Sequence, residues 1–239
     1  MGCSSSAPSQ DSIHRTNNTQ SPSDAKDSII VYGMAKSVAT QRVLATLIEK
    51  GLKFQLKIVN LMTGENKNRS YLEKQPFGGV PALEDTDGFI IYESRAICRY
   101  LEAKYKDKGT ELIPTNSIKA EGIFEQAAST EISNFDPSAS DIIGERVYKK
   151  FRGGEPDMNK VAELRRDLAE NLDVYEKILS KQPYLGGNTF TLADLFHLPV
   201  GSMLTNCGEG ELFESRPNVK KWWNTISTRP AWKTVLATM

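Results

Sequence analysis

The chain has 239 residues, 39% hydrophobic and 25% charged, and its 30 basic and 30 acidic side chains cancel to a formal net charge of 0. That length supplies core for one large domain or two small ones; the balanced charge gives no electrostatic footprint for nucleic acid, and no apolar run approaches the roughly 18 residues that span a bilayer. With only His14 and His197, and with Cys3, Cys98 and Cys207 far apart and forming no CxxC, a histidine-built metal site, a Ser-His-Asp triad and a disulfide framework all lack their parts.

Residues 1–27 differ in kind from the rest. They are dominated by serine, asparagine and other polar residues, with Met1, Cys3, Ala7, Ile13 and Ala25 as the apolar exceptions. Such a stretch buries too little surface to offset its ordering entropy and reads as a flexible arm. Its start, MGCSSS, fits N-myristoylation at Gly2, with Cys3 beside it as an S-acylation site. One myristoyl chain gives marginal binding, of order 10⁴ M⁻¹, and a second makes anchoring durable. The cysteine usage fits a reducing compartment. A cytoplasmic protein is therefore expected, with a peripheral membrane tether where the arm is acylated.

Regular structure is expected from residue 28 onward. SIIVY at 28–32, closed by Gly33, is a β-branched strand signal. Val43, Leu44, Leu47 and Ile48 recur at helical spacing over 38–50, with Gly51 as the stop. Residues 54–59 read as a second strand and 66–74 as a short helix. The segments 82–84 and 89–92, joined by DTDG, read as a hairpin. Ser94 is placed as the cap of a helix running to Lys104. The order β-α-β-α-β-β-α describes a small sheet covered by helices.

Beyond Gly109 and Pro114 the period is helical throughout, which puts a boundary near residue 112. Val161, Leu164, Leu168, Leu172, Tyr175 and Leu179 mark the core face of a helix over 158–180. Thr191 and Asp194 form an acidic capping box, and Trp222, Trp223 and Trp232 read as packing anchors. Cys98 reads as a small buried hydrophobe, and His197 as a packing or hydrogen-bonding residue.

The segments TQRVL at 40–44, PFGGVPALED at 76–85, ESRAICRYL at 93–101, NFDP at 134–137 and TFTLADL at 189–195 together resemble the phi class of plant-type cytosolic glutathione transferases. The match runs in register from about residue 28 to the C-terminus. The resemblance implies an α/β thioredoxin-like glutathione-binding domain over 28–109, an all-α domain over 110–239, and a homodimer. It implies glutathione as co-substrate, no metal, and small hydrophobic electrophiles as the second substrate, with hydroperoxide reduction as a further activity.

Glutathione carries two carboxylates, an amine and a thiol that must ionise to react. Lowering a thiol pKa from about 8.5 to about 6.5 takes roughly 2.7 kcal/mol of preference for the anion. A hydroxyl hydrogen bond to the anion contributes about 1.5–3 kcal/mol and a helix N-terminus about 0.3–1 kcal/mol. Ser37, in the loop before the first helix, aligns with the family's catalytic serine; the plainer reading is a helix cap. Acting as a hydrogen-bond donor to sulfur, it is not a covalent nucleophile, because no base is in view to activate it. Val80-Pro81 aligns with the family's cis peptide, where the backbone before the proline pairs with glutathione as an added strand.

Glu93 and Ser94, at a helix start, suit the γ-glutamyl amine and carboxylate. Arg95 either assists or is solvated. Lys67 either pairs with the glycyl carboxylate or is an ordinary surface lysine. Two departures from the family stand out: Asn66 replaces a histidine and Gly79 a glutamine, so weaker glutathione binding is expected. Met34, Ala35, Phe124 and Ile132 are the candidates for the electrophile pocket, each equally readable as ordinary core. The competing readings are a non-catalytic binding or scaffold protein on the same fold, and a thiol–disulfide oxidoreductase. The latter needs a cysteine where Ser37 stands.

Overall fold

The computed structural model describes Met1 and residues 28–238. The arm, and with it the acylation expected at Gly2 and Cys3, lies outside the described residues. Strands β1 (Ile29–Gly33), β2 (Phe54–Ile58), β3 (Ala82–Glu84) and β4 (Ile90–Tyr92) form one mixed sheet in the order β2-β1-β3-β4. β1 runs parallel to β2, with Ile29 opposite Phe54. It is antiparallel to β3, with Val31 opposite Leu83, and β3 is antiparallel to β4. The parallel β1–β2 pair needs a crossover, and helix α1 (Val38–Glu49) provides it. Ile29, Val31 and Leu83 are buried beneath α1 and helix α3 (Ser94–Lys104), which contribute Val43, Leu47, Ile97 and Leu101. This is the expected thioredoxin-like arrangement.

Two local expectations are corrected. The helix expected over 66–74 is a 3₁₀ turn at Glu65–Lys67 followed by the single turn α2 (Arg69–Leu72). The chain breaks between them at Asn68, which is extended, and Asn66 Nδ2 is tied across to the Gly78 carbonyl at 2.7 Å. Ser94 is not the cap of α3 but its first residue. The cap position belongs to Glu93, held at φ 69°, a backbone region that non-glycine residues seldom occupy.

The remaining chain is helical. α4 (Ile118–Thr130) and α5 (Asp136–Ile143) are joined by a π-helical stretch, Glu131–Phe135, whose backbone stays right-handed. Pro137, in the first turn of α5, lacks the N–H of an ordinary i→i−4 bond, and a wider turn before it relieves the clash. α6 (Met158–Leu179), α7 (Leu192–Leu195), α8 (His197–Leu204), α9 (Glu211–Glu214), α10 (Pro217–Ser227) and α11 (Pro230–Ala237) complete the fold. Trp222, Trp223 and Trp232 are buried, as expected of anchors. The Asp194 carboxylate accepts from the Thr191 N–H at 3.0 Å, from the Leu185 N–H at 3.0 Å and from Trp222 Nε1 at 2.8 Å, so the capping box also locks α10 onto α7.

The sheet-bearing part and the helices are pinned by charge as well as packing. Arg229, the cap residue of α11, clamps Glu49 at the end of α1 at 2.6 and 2.8 Å. Among the described residues no helix is long and apolar enough to cross a membrane.

Candidate functional site

β1 ends at Gly33, and the loop Met34–Ser37 turns into α1. The Ser37 N–H donates to the Met34 carbonyl at 2.9 Å, and Gln41 Nε2 donates to the Ala35 carbonyl at 3.2 Å, so the loop is held at both ends. Ser37 is the N-cap of α1, half-buried, with φ −76° and ψ 126°. Its Oγ accepts from the Thr40 N–H at 3.4 Å. That bond is long, and the hydroxyl proton donates to nothing among the described residues. A cap with an uncommitted proton, beside first-turn amides that have no helical partner, is a donor array for an anion.

The second wall is the loop from Gln75 to Pro81. The Val80-Pro81 peptide is cis, and Pro81 sits at the entry of β3, where its missing N–H costs the ladder nothing. No backbone hydrogen bond to Val80 is present among the described residues, leaving its N–H and C=O free to pair with an extended ligand. Tyr71 Oη donates to the Gly79 carbonyl at 2.6 Å, Asn66 Nδ2 to the Gly78 carbonyl, and Lys67 Nζ to the Phe77 carbonyl at 3.3 Å. Gly78 is a glycine by necessity. Its φ is +66°, and a Cβ there would lie 2.8 Å from the Asn66 carbonyl and 2.7 Å from Lys67 Nζ.

The third wall is the start of α3. Glu93 is exposed and Ser94 buried. The first helical bond runs from the Ile97 N–H to the Glu93 carbonyl at 2.8 Å, which leaves the preceding amides pointing out of the helix end. Arg42 Nη1 donates to Ser94 Oγ at 3.4 Å. Arg42 also donates to the Phe196 carbonyl at 3.2 Å and to Asp136 Oδ1 at 3.1 Å.

Arg95 is not simply solvated. It is bound to Glu131 by two bonds of 2.8 Å and lies 3.4 Å from Asp136. Two arginines from the sheet-bearing part thus face two carboxylates of the α4–α5 region. Burial, and then repulsion by Arg95, pull the Arg42 pKa down, against the opposing charges of Glu131 and Asp136. Burial also acts to lower Arg95, but its bonds to Glu131 outweigh that and hold it above its ordinary value. The network sets the angle at which the Ser94 end of α3 meets α1. No local sequence signal pairs residue 42 or 95 with residue 131; only the presence of Asp136 inside NFDP hints at it.

The expected pocket residues are spread. Met34 and Ala35 are half-buried in the loop before Ser37, and Ile132 is half-exposed. Phe124 has no exposed surface and packs in the core with the Arg99 guanidinium 5.8 Å over its ring, so it has no face to offer a ligand here. Cys98 is fully buried, its thiol pushed up to about 11 by burial. His197 is likewise buried, hydrogen-bonded to Ala193 and Tyr175. A separate cleft of about 380 Å³ opens between α4 and α6, lined by Ile123, Val174 and Ile178 among others and by none of the four expected pocket residues. Among the described residues no group of three or more metal-ligating side chains is present.

The family model for the glutathione S-transferase N-terminal domain matches residues 31–109, and that for the C-terminal domain matches 135–230. The chain is 51% identical over 195 residues to glutathione S-transferase PM239X14 of Arabidopsis thaliana, covering 81% of this chain and 88% of that one. Among solved structures, glutathione transferase F7 from Populus trichocarpa superposes with a TM-score of 0.85 at 37% identity, covering 88% of this chain and 99% of the other. Glutathione S-transferase I from mais, solved in complex with an atrazine glutathione conjugate, superposes at 0.83 with 31% identity over 89% of this chain and 98% of that one.

Proposed function

The chain belongs to the glutathione S-transferase family, in its phi class, and from that premise we propose that it binds glutathione across the three walls, holds the thiol as thiolate through Ser37, and transfers the sulfur to hydrophobic electrophiles. The observation that carries the proposal is the uncommitted Ser37 hydroxyl at the head of α1. Oγ–H donating to sulfur and the first-turn amides together supply roughly the 2.7 kcal/mol that a two-unit fall in thiol pKa requires. The thiolate then attacks the electrophilic carbon, a C–S bond forms and the leaving group departs with its electron pair. With a hydroperoxide, the same thiolate attacks the terminal oxygen, an S–O bond forms as the O–O bond breaks and alkoxide leaves, and the sulfur of a second glutathione then displaces that oxygen as water from the sulfenic acid to give disulfide.

The other walls have the chemistry of the remaining groups. The free N–H and C=O of Val80 match the peptide of the cysteinyl residue as an added strand. The amides at the start of α3, with Ser94 Oγ, suit the γ-glutamyl carboxylate, and Glu93 suits its ammonium. Arg95 holds that helix end in place through Glu131 rather than meeting the ligand. Lys67 suits the glycyl carboxylate, and Asn66 spends its donor on Gly78. Met34, Ala35 and Ile132 are the pocket residues with surface to offer an electrophile.

The homodimer belongs to the same proposal. Phe77, beside the site, is 74% exposed, and the apolar cleft between α4 and α6 is the concave surface that such a knob fits. A cytoplasmic location, and a tether through Gly2 and Cys3, rest on the sequence pattern alone.

Replacing Ser37 with alanine tests the chemistry. Ser37→Ala is expected to lower kcat for conjugation of a chloro-dinitroarene by about 10²- to 10³-fold, the usual cost of one donor to a developing or resident anion, with glutathione affinity within a few-fold. Equal activity in the variant removes Ser37 from this role. No wild-type turnover above background, with the fold intact, favours the binding or scaffold reading.

A further inference from the structure

The chain leaves α5 through a helical stretch, Gly144–Lys149, that runs on to Phe151 before it turns. Backbone bonds fix the turn. The Arg152 N–H donates to the Tyr148 and Lys149 carbonyls at 3.1 Å, and the Gly153 and Gly154 N–H groups donate to Lys150 and Lys149 at 2.9 Å. Gly153, at φ +80°, supplies the left-handed residue that closes such an end. Phe151 stands at the tip and is 69% exposed, with Tyr148 and Met158 exposed before and after it in the chain. Lys150 and Arg152 flank it, exposed and in no ion pair among the described residues, whereas Lys149 is held by Glu145 at 2.8 Å. Of the acids in the turn, Glu145 is spent on Lys149 and the Asp157 N–H, and Asp157 caps α6. That leaves Glu155 as the acid without a partner among the described residues. An aromatic ring between two free cations on a fixed turn combines apolar insertion with attraction to negative charge.

The course of the helices decides which side of the molecule this turn faces. α3 and α4 run antiparallel, because Arg99 meets Glu125 at 3.0 Å and Arg95, nearer the start of α3, meets Glu131 at 2.8 Å. α4 therefore heads toward the end of the sheet where Ser37, Val80 and Ser94 lie, and Asp136 reaches Arg42 there at 3.1 Å. The helical path continues from Asp136 to Phe151, about 22 Å further along, so the turn lies beyond the site on the same side of the molecule. β1 begins at the opposite end, where Ile29 pairs with Phe54. Residues 2–27 join it there, and a chain of that length reaches up to about 90 Å when extended, several times the roughly 17 Å of a five-residue strand. An acyl group at Gly2 can thus share a plane with Phe151. The dimer surfaces proposed above leave the turn free, since Val174 lies about 24 Å along α6 from Met158.

We propose that the turn Tyr148–Arg152 is a docking surface for an anionic lipid bilayer, which Phe151 enters and which Lys150 and Arg152 hold by charge, with the site end of the molecule turned toward the lipid. The choice of a bilayer draws on the acylation motif at Gly2 and Cys3, because durable anchoring takes two signals. Hydrophobic electrophiles concentrate in a bilayer, so this orientation sets their source beside the site, a consequence that rests on the transferase reading above.

The test uses the full chain made in a bacterial host, unacylated, so that the docking surface and the tether fail separately. Co-sedimentation at millimolar lipid compares vesicles of phosphatidylcholine alone with vesicles in which one lipid in four is phosphatidylserine. Wild type is expected on the mixed vesicles, with weaker binding at about 1 M salt, where the screening length is about 3 Å. Lys150→Ala with Arg152→Ala should weaken that binding about 25-fold, about 5-fold per cation, and Phe151→Ser about 10-fold, all with an unchanged melting temperature. Lys53→Ala with Lys106→Ala, which removes two exposed cations from the arm end instead, should leave it unchanged. The proposal is overturned if wild type binds neither vesicle, if the turn variants bind as wild type does, or if the Lys53 and Lys106 variant loses as much as they do. A drop in the mass of Phe151→Ser by light scattering, with no vesicle binding by wild type, assigns the turn to a second copy and overturns it as well. None of these outcomes touches the transferase reading or the tether, which the intact mass of chain made in a eukaryotic host decides.

Discussion

His197 lies in the core, and its charge state is set entirely by its neighbours. Nδ1 is 2.8 Å from the Ala193 carbonyl, which can only accept, so Nδ1 carries the proton and Nε2 accepts from Tyr175 Oη at 3.1 Å. Burial, above all, pushes its pKa down to about 3. The Ala193 carbonyl opposes the fall, Arg95 and Arg42 deepen it, and Asp136 works against them. In the unfolded chain the group titrates near 6.5. The folded state thus binds fewer protons, and its stability is fully present above about pH 6.5 and is lost as pH falls toward 3, by at most roughly 1.4 kcal/mol per pH unit from this group. Urea denaturation between pH 7 and 5 should therefore show a steeper loss of stability in wild type than in His197→Gln, by up to one proton. Equal slopes would mean that the ring titrates normally. At this scale the sequence was legible where a position depends on neighbours in the chain, as for Ser37 as the cap at the strand-to-helix turn. It was not where a partner comes from far away. Arg95 meets Glu131 36 residues on.

Helices and strands obeyed their local periods, and the departures have local causes. β1 and α1 fall within a residue of their expected ends because β-branched alternation, a cap and a C-terminal glycine all agree there. The expected 66–74 helix breaks because Asn66 is drawn out to Gly78. The π-helical stretch before Pro137 carries no periodic signature of its own and could not be read in advance. Close approach between helices is equally invisible in the sequence, and α8 against α10 shows why. A Cβ on Gly201 would lie 2.5 and 2.6 Å from the Trp223 ring, inside any real contact distance. Alanine is the better helix former by about 0.8–1 kcal/mol, yet overpacking a rigid indole costs about 1–3 kcal/mol, and Trp223 is stacked on Phe213 at 4.6 Å with no room to retreat. Gly201→Ala is therefore expected to lower stability in urea melts despite its propensity gain. A variant as stable as wild type would show that the α8–α10 spacing adapts.

For the molecule as a whole, the two-part composition is visible in the change from mixed to purely helical period, but the docking of the parts is not. It depends on Arg42 and Arg95 meeting Glu131 and Asp136 and on Glu49 meeting Arg229 180 residues away. The same limit applies to assembly. Phe77 projects from the Gln75–Pro81 loop, touching Tyr92 edge-on at 6.1 Å but otherwise bare. Ile123 and Val174, both about half-exposed, line the cleft between α4 and α6. A two-fold dimer places each feature against its counterpart, so a single substitution acts twice. An aromatic anchor in a fitted pocket is worth about 2 kcal/mol or more, and doubling it makes about 4 kcal/mol, near 10³-fold in the dimer dissociation constant. Phe77→Asp, which removes the aromatic anchor, should convert a dimer at tens of micromolar into a monomer by light scattering after size exclusion, and Val174→Arg should do the same from the other side. A wild-type monomer, or a Phe77→Asp dimer of undiminished affinity, would detach the knob from the cleft.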